Sequence, residues 1–299
     1  MNVLNVAVDS TKVPAVRFER SGGYWETVLR RFCRDRLGVF AALVILILLA
    51  LALFGPWLAP ADPYATSMLR RLKPIGFDGH PLGTDELGRD MLTRLMIGTK
   101  LSLFMGITPV VLAFVIGSVL GIVAGYAGGA VNTIIMRTVD VFYAFPSVLL
   151  AIALSGALGA GITNSLISLT IVFIPPIARV AESVTTQVRS RDFVEAARAS
   201  GANAFTIVRV HVLGNVLSPI FVYATSLIAV SMILASGLSF LGLGVRPPEP
   251  EWGLMLNTLR TAIYVQPWVA ALPGAMIFIT SIAFNLLSDG LRSAMDIKA

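Results

Sequence analysis

Charged side chains are scarce in this sequence of 299 residues, and they are unevenly placed. Asp, Glu, Lys and Arg make up 13% of the residues and hydrophobic residues 56%, whereas soluble domains contain about 25% charged residues. This composition excludes an ordinary soluble protein and indicates an all-α integral membrane protein. Five tracts of 25 to 38 residues contain no charged side chain; they are 37–61, 101–136, 141–178, 210–245 and 261–288.

Several sequence motifs of enzymes are absent as well. No Lys follows a Gly, so there is no P-loop, and neither His-Glu-x-x-His nor Gly-x-Ser-x-Gly occurs. His80 and His211 fall on opposite predicted sides of the membrane, which argues against a zinc site between them. The single cysteine, Cys33, excludes an internal disulfide. We therefore expect no catalytic residue, no metal site and no cofactor bound by this chain.

Ionisable groups are absent from the middle of the predicted spans. Asp140, Glu182 and Asp289 lie only at predicted span ends. Carriers driven by protons or sodium usually place such groups within the membrane, where they are costly and therefore functional. If this protein moves a solute uphill, we expect the energy to come from another source.

The apolar tracts predict six membrane-spanning helices. A span needs about 20 residues at a rise of about 1.5 Å each. As one helix, 141–178 would run roughly 57 Å against a hydrocarbon core of about 30 Å, so we expect it to fold back at GALGAGITNS (156–165). A GYAGGAVN loop is predicted after the second span. The predicted spans are about 37–59, 101–125, 138–157, 164–182, 216–240 and 268–288.

The distribution of basic residues predicts the orientation. An even number of spans places both termini on one side, and a cytoplasmic location gives 15 Lys and Arg inside and 8 outside. The net charge of +6 then reflects topology, and we expect no nucleic-acid partner. The first apolar tract begins only after 36 residues, which favours a retained signal-anchor over a cleaved signal peptide.

A polar stretch, DFVEAARASGANAFTIVRVHVLGN (192–215), lies between two apolar tracts. Asp192 is predicted to cap a short helix that Gly201 ends, and Asn203 to cap a second helix. An ordinary cytoplasmic connector and a slim helix that enters a groove of a partner explain these residues equally well. The shared face of the first helix would consist of Phe193, Ala196, Ala197 and Ser200.

EAARASG followed by HVLGN resembles the EAA loop of ABC-importer permeases, which forms the coupling helix that docks on the cytoplasmic ATPase. Gly214 stands where that family usually has Pro. Three further segments resemble the C-type subunit of the dipeptide/oligopeptide subfamily, although Ser288 replaces a frequent Gly. They are HPLGTDELGRDMLTRLMIGTKLSL (80–103), LGLGVRPPEPEWGLML (241–256) and PWVAALPGAMIFITSIAFNLLSDGLRSAMD (267–296).

The resemblance implies a type I, MetI-like permease in a bacterial inner membrane, with di- or oligopeptides as solute. Its implied partners are a homologous B-type permease, two cytoplasmic ATPase subunits that bind ATP and Mg, an extracytoplasmic binding protein and membrane lipid. The implied coupling residues are Asp192, Phe193, Glu195, Ala196, Ala197, Arg198 and Gly201. The implied organisation is a tail at 1–36, a first transmembrane helix at 37–59, an extracytoplasmic segment at 60–100 and a five-helix core at 101–299 with a coupling loop at 183–215.

The extracytoplasmic segment is predicted to contain an amphipathic helix. Thr84 would cap it, and Asp90 and Arg94 would pair on one face. The helix would lie at the membrane interface and lead into the second span. Its apolar stripe would consist of Leu87, Met91, Leu92, Leu95 and Met96.

Prolines and glycines mark further candidate sites. RPPEPEWG (246–253) predicts a stiff outer loop that either meets the binding protein through Pro247, Pro248 and Trp252 or packs on its own helices. Trp252 and Trp268 suit the aromatic belt. Pro146, Pro175 and Pro176 should kink or break their helices, as gate hinges or by structural accommodation. Close helix packing is predicted at Gly117, Gly121 and Gly125.

Two other classes of function compete with the importer. A stand-alone secondary transporter or channel would need no partner, but the uncharged spans count against a proton-coupled carrier and the elaborate loop against a simple pore. A polytopic membrane enzyme would need a polar constellation at the membrane face, and the sequence offers none. Neighbouring genes for an ATPase and a binding protein would favour the importer.

Overall fold

The computed structural model describes residues 24–295, which form helices, turns and two isolated β-bridges. The all-α prediction is confirmed. We number the longer helices in chain order: α1 Tyr24–Phe32, α2 Arg36–Leu58, α3 Met91–Ala127, α4 Gly129–Tyr143, α5 Ser147–Leu158, α6 Ile162–Arg189, α7 Asp192–Ala199, α8 Ala204–Phe240, α9 Trp252–Thr258 and α10 Pro267–Met295.

Five of these helices, α2, α3, α6, α8 and α10, are long and apolar enough to cross a membrane. The pair α4 and α5 is bent by 87° and makes a sixth span if it is counted as one. The third predicted span, 138–157, is therefore a broken one. Pro146 begins α5 at the bend, because proline has no N–H to donate and disfavours helical backbone at the preceding residue.

The second span is longer than its apolar tract. Helix α3 runs for 37 residues and includes ten residues that the sequence assigned to the extracytoplasmic segment. The GYAGGAVN loop was predicted wrongly, because α3 continues to Ala127 and only Gly128, at φ +67°, separates it from α4. A glycine tolerates this positive φ without strain, so the chain turns within one residue.

Helices α3 and α6 form the closest helix pair in the core, and glycines allow it. A Cβ added to Gly117 would lie 3.0 Å from the Ile174 carbonyl oxygen, and one added to Gly125 would lie 2.7 Å from the Glu182 carbonyl oxygen. Gly121 faces the backbone of Ala178 in the same way. The predicted close packing at these glycines is confirmed.

The outer segment before α3 is folded without the predicted amphipathic helix. Thr84 accepts a hydrogen bond from Lys73 N at 2.9 Å within a turn, and the N-cap of α3 is Asp90, which accepts from Thr93 N at 2.7 Å. The predicted Asp90–Arg94 pair is wrong as well. Asp90 Oδ1 lies 2.9 Å from His80 Nδ1, and the Arg94 guanidinium faces Asp85 instead.

This segment buries a cluster of charged side chains. Asp85 Oδ2 lies 2.6 Å from Arg89 Nε and 3.4 Å from Arg94 Nε, and all three side chains are less than a tenth exposed. Arg94 also donates to the carbonyl oxygens of Pro63 and Pro248. The cluster joins the segment before α3 to the loop before α9, with Asp85 and Arg89 in non-helical backbone and Arg94 in the first turn of α3.

The tail preceding the first span contains a helix that was not predicted. Val28 of α1 is buried against α10, and Asp35 caps α2 by accepting from Leu37 N at 3.1 Å. Cys33 is exposed between the two helices. Residues 1–23 of the predicted tail lie outside the described part of the chain.

Candidate functional site

Helix α7 lies between two membrane-crossing helices, α6 and α8. Its N-cap is Arg191, whose carbonyl oxygen accepts from Val194 N at 2.9 Å and Glu195 N at 3.2 Å, without a side-chain cap. The prediction that Asp192 caps the helix is wrong by one residue. Asp192 is the first helical residue, where its carboxylate favours the positive end of the helix dipole.

The end of α7 follows the sequence prediction. Gly201 has φ +84°, and Ala202 N donates to the Ala197 carbonyl oxygen at 3.1 Å across it. This bond spans a glycine in the left-handed region, as in a Schellman motif. Asn203 then caps α8 by accepting from Thr206 N at 2.8 Å. Both the glycine stop and the asparagine cap are confirmed.

Val194, which was not among the predicted site residues, anchors α7 to the rest of the protein. Val194 is fully buried, and Ala197, three residues later, is half-buried. Ala197 therefore lies on the inner side, whereas Phe193, Ala196 and Ser200 of the predicted shared face are exposed. The spacing of Val194 and Ala197 was the available signal, since residues three apart lie on one helix face.

The outward surface of α7 carries charges that find no ion pair within residues 24–295. Asp192, Glu195 and Arg198 are all exposed, and none of them belongs to a salt bridge with a described residue. Phe193 is 43% exposed and Phe205, at the start of α8, is 74% exposed. Two aromatic rings beside three available charges form a surface suited to contact with another protein.

The second helix of the loop is not separate from the next span. Helix α8 includes a π-helical segment, Ile207–Val212, and continues through Gly214 to Phe240. Ile207 and Val212 are buried beside α7. Helix α7 therefore packs directly against the start of a membrane-crossing helix.

Two side-chain hydrogen bonds that were not predicted join α4 to α6. Asn132 Nδ2 donates to Glu182 Oε1 at 2.7 Å, and Arg179 Nη2 donates to Asp140 Oδ1 at 2.6 Å. The Arg179 guanidinium also lies 4.7 Å from the centre of the Tyr143 ring. These contacts connect the helix before the bend to the helix that leads into α7.

The gate candidates occupy different surroundings. Pro146 lies at the bend, whereas Pro175 and Pro176 lie within α6, which they do not break. A cavity of about 250 Å³ lies between the bend, α6 and α8. Pro176 is among its lining residues, which also include Phe142, Tyr143, Phe145, Phe173 and Leu227.

The outer loop matches its prediction only in part. Pro247 and Pro248 are exposed, but Trp252 is fully buried, so it neither lies in an aromatic belt nor reaches a binding protein. Its Nε1 donates to the Leu95 carbonyl oxygen at 3.1 Å and its backbone N to Ser102 Oγ at 3.0 Å. Trp268, by contrast, is 77% exposed.

Glu251 caps α9 from a buried position. Its carboxylate accepts from Gly253 N and Leu254 N, both at 2.8 Å. Burial raises the pKa of this carboxyl, against the opposing effect of the two backbone hydrogen bonds. Over the described range, no three His, Cys, Asp or Glu residues are grouped so that they could hold a metal ion.

The arrangement of spans defines a class of protein. A solved structure described as inward-facing conformations of the MetNI methionine ABC transporter matches with a TM-score of 0.57 and 20% identity, over 68% of this chain and 97% of that chain. An amino acid ABC transporter structure with histidines matches with a TM-score of 0.51 and 13% identity, over 66% of this chain and 92% of that one. The fold is that of an ABC-importer permease.

The sequence comparisons identify the family. Residues 117–298 match the family described as binding-protein-dependent transport system inner membrane component, and residues 23–74 match the N-terminal TM domain of oligopeptide transport permease C. The chain belongs to this family of transport permeases, as a C-type member of its dipeptide/oligopeptide branch. It is a multi-pass inner-membrane permease of an ABC importer, a system that also includes ATPase subunits and a binding protein; such permease subunits are generally non-catalytic.

Curated relatives support the same assignment over nearly the full length. The glutathione transport system permease protein GsiD of Pectobacterium atrosepticum is 42% identical over 286 residues, which is 96% of this chain and 95% of that protein. GsiD of Escherichia coli O157:H7 is 41% identical, over 96% of this chain and 94% of that protein. The resemblance that the sequence motifs indicated is confirmed.

Proposed function

We propose that α7 is the element through which this permease docks on a cytoplasmic ATPase partner. The observation that carries the proposal is the exposed surface of α7, where charged and aromatic side chains surround a helix held by one buried anchor, Val194. Glu195 and Arg198 supply charges for the partner, and Phe193 supplies apolar contact. Asp192, Ala196 and Ala197 complete the helix, and Gly201 sets its end.

Movement of the docked helix α7 would reach the membrane-crossing part of the protein through its two neighbours, α6 and α8. Through α8, movement reaches the cavity beside the α4–α5 bend, because Leu227 of α8 is one of the lining residues. Through α6, movement reaches the same cavity at Phe173 and Pro176 and reaches α3 along its glycines. ATP binding by the partners would favour one arrangement of these helices, so their differential affinity would drive alternating access. In this scheme Pro146 is a hinge, and Pro175 and Pro176 shape the wall.

The remaining parts of the assembly follow from this docking mode. Both termini lie in the cytoplasm, on the same side as α7, which agrees with the excess of basic residues there. A homologous B-type permease supplies the other half of the pathway, two ATPase subunits bind ATP and Mg, and this chain holds no catalytic residue or cofactor. The exposed Pro247 and Pro248 face the extracytoplasmic binding protein.

The proposed solute is a short peptide, in the size range of di- and oligopeptides or glutathione. The family match to oligopeptide permease C and the glutathione-transport relatives support this class. The cavity beside the bend has aromatic and aliphatic walls, with no charged residue among those that line it. Such walls allow passage of peptides with different side chains, and selection then rests with the binding protein.

The coupling proposal is tested by two pairs of matched variants in the complete transporter. Glu195→Lys reverses one charge on α7, and Asp289→Lys reverses an exposed charge near the end of α10. Gly201→Val is strained because Gly201 has φ +84°, and Gly201→Asn keeps that conformation accessible since Asn tolerates it better than other residues. Co-purification of the ATPase subunits and solute-stimulated ATP hydrolysis are the two measurements.

We expect Glu195→Lys and Gly201→Val to lose both measurements by about tenfold or more, which corresponds to about 1.4 kcal/mol of docking free energy. Asp289→Lys and Gly201→Asn should stay near the parent. If all four variants retain stimulated hydrolysis, α7 does not couple the permease to its ATPase. If the chain transports solute in liposomes without partners, the stand-alone transporter is the correct class.

A further inference from the structure

An apolar groove runs between α2 and α3 in the half of the membrane that is nearer to the outer segment. It has a volume of about 660 Å³. Leu49 and Ala52 line one wall, and Phe104, Ile107 and Thr108 line the other. Leu49 and Phe104 are each about half exposed, at 46% and 47%, so the groove is open at the surface of the chain.

Close helix contact closes the outer end of this groove. A Cβ added to Gly55 of α2 would lie 3.3 Å from the Met96 carbonyl oxygen, so the two helices touch there and separate farther into the membrane. The loop before α9 covers the same end, because the Pro250 carbonyl packs directly on Gly98. The groove therefore has a polar, closed end toward the outer segment and an apolar, open end toward the membrane centre.

Lys100 stands in the wall of the groove near its closed end. It lies one helical turn, or about 6 Å, deeper than the Gly55–Met96 contact. Its ammonium forms no ion pair or hydrogen bond with any residue that the structure describes. A cation in an apolar groove at membrane depth is costly unless an anion or water accompanies it.

The direction of the Lys100 side chain indicates where that anion lies. Side chains on a helix point toward its N-terminus, and the N-terminus of α3 is on the outer side. The long stem therefore carries the ammonium toward the headgroup level of the membrane. Glu249 lines the same end of the groove, where its carboxylate accepts a hydrogen bond from the Tyr64 hydroxyl at 3.1 Å.

We propose that this groove binds a glycerophospholipid whose headgroup contains both a phosphate and a protonated primary amine. The phosphate pairs with Lys100, the ammonium of the headgroup pairs with Glu249, and an acyl chain lies along Phe104 and Ile107. Separated positive and negative groups at one end of an apolar groove complement a zwitterionic headgroup above a hydrocarbon chain. A phosphoglycerol headgroup lacks the ammonium, and a phosphocholine headgroup cannot donate a hydrogen bond to Glu249.

The experiment measures which lipid stays with the complete transporter. The complex is placed in nanodiscs that contain equal amounts of phosphatidylethanolamine, phosphatidylcholine and phosphatidylglycerol with identical acyl chains. Native mass spectrometry after partial delipidation then counts the retained lipids. The variants are Lys100→Met, which keeps length and removes charge, Lys100→Arg, Glu249→Gln, Ala52→Phe, which fills the groove, and Arg71→Met as an exposed control on the same side.

We expect one retained phosphatidylethanolamine in the parent, in Lys100→Arg and in Arg71→Met. Lys100→Met should lower retention about tenfold, the loss expected for one charge-assisted hydrogen bond. Ala52→Phe should abolish retention, and Glu249→Gln should keep a lipid but lose the preference for the ethanolamine headgroup. Equal retention of the three lipids by the parent, or unchanged retention in Lys100→Met, would overturn the proposal.

A second measurement separates lipid from protein in the groove. Phe104 is replaced by a photoreactive benzophenone amino acid in the intact complex, and the cross-linked product is identified by mass. A lipid adduct supports the proposal. An adduct to a partner permease subunit shows instead that the groove is a protein interface, and this result would also overturn it.

Discussion

The two ends of this permease use charged residues in opposite ways. On the proposed outer side, Asp85 pairs with Arg89 and Arg94 in a buried cluster within the chain. On the proposed cytoplasmic side, Asp192 and Glu195 are exposed and form no ion pair with the residues the structure describes. The same residue types therefore hold one region together and leave the other available to a partner.

The difference shows how burial separates structural charges from binding charges. A buried charge that loses its partner costs several kcal/mol, whereas an exposed charge contributes little to folding. Substitutions of the buried charges in the outer segment should therefore lower stability, and substitutions of the exposed charges on α7 should leave stability unchanged while they affect partners.

Asp85→Asn should have the largest effect, because it removes the negative charge that two buried arginines face. We expect a loss of about 3–5 kcal/mol in the free energy of unfolding, the range for breaking a buried ion pair. Asp78→Asn, at an exposed position nearby, is the control. Thermal unfolding of the detergent-solubilised chain provides the measurement. Equal stability of the two variants would mean that the outer cluster contributes nothing to the fold.

Gly98→Ala should have the next effect, because its Cβ would overlap the Pro250 carbonyl oxygen. Displacing the loop before α9 should cost about 1–3 kcal/mol, as overpacking of a filled site does. Gly156→Ala is the matched control, since no atom lies within 4 Å of its added Cβ. That variant should gain about 0.5–1 kcal/mol, because alanine restricts the unfolded chain. A stabilised Gly98→Ala would show that the loop moves freely.

We expect Glu251 to make the stability of the outer segment depend on pH. Burial raises its pKa above the ordinary value of 4.5. At a pH between the ordinary pKa and the folded one, the folded state therefore holds a proton that the unfolded state has released. Stability should therefore fall as pH rises from the ordinary pKa to the folded one, and stay level above it. Glu251→Gln should remove this slope and cost about 1 kcal/mol through the weakened cap of α9. Unfolding temperatures of both proteins between about pH 4 and about pH 8 test the sign, and a parallel pair of curves would contradict it.

The sequence predicted the loop that contains α7 better than the segment before α3, for a physical reason. Gly201 and Asn203 act on their own backbone and nearest neighbours, so local sequence is sufficient to place them. The position of Trp252, by contrast, depends on α3, because the indole N–H of Trp252 donates to the carbonyl oxygen of Leu95, which is 157 residues away in sequence. Sequence spacing alone could not identify this acceptor.

The error at Thr84 has the same cause. Residues 84–96 carry a helical pattern of apolar side chains, but Asp90 pairs with the buried His80 and Arg94 donates to the carbonyl oxygens of Pro63 and Pro248. Those tertiary contacts outweigh the local preference for helix, and α3 begins only at Met91. The bend at Pro146 was predictable because proline acts through its own covalent geometry. Which surfaces meet the partner subunits depends on other chains, so this sequence predicts them only through its resemblance to a family.

Glu195→Gln should have the smallest effect on stability and so sharpens the contrast between the two regions. The side chain is exposed and has no ion pair among the described residues, so the free energy of unfolding should change by less than about 0.5 kcal/mol. Val194→Ala is the comparison, because it removes two methyl groups from the buried anchor next to it and should cost about 1–2 kcal/mol. Thermal unfolding of the chain without partners measures both variants. If Glu195→Gln destabilises the chain as much as Val194→Ala does, Glu195 supports the fold of its own loop, and its charge is not held free for a partner.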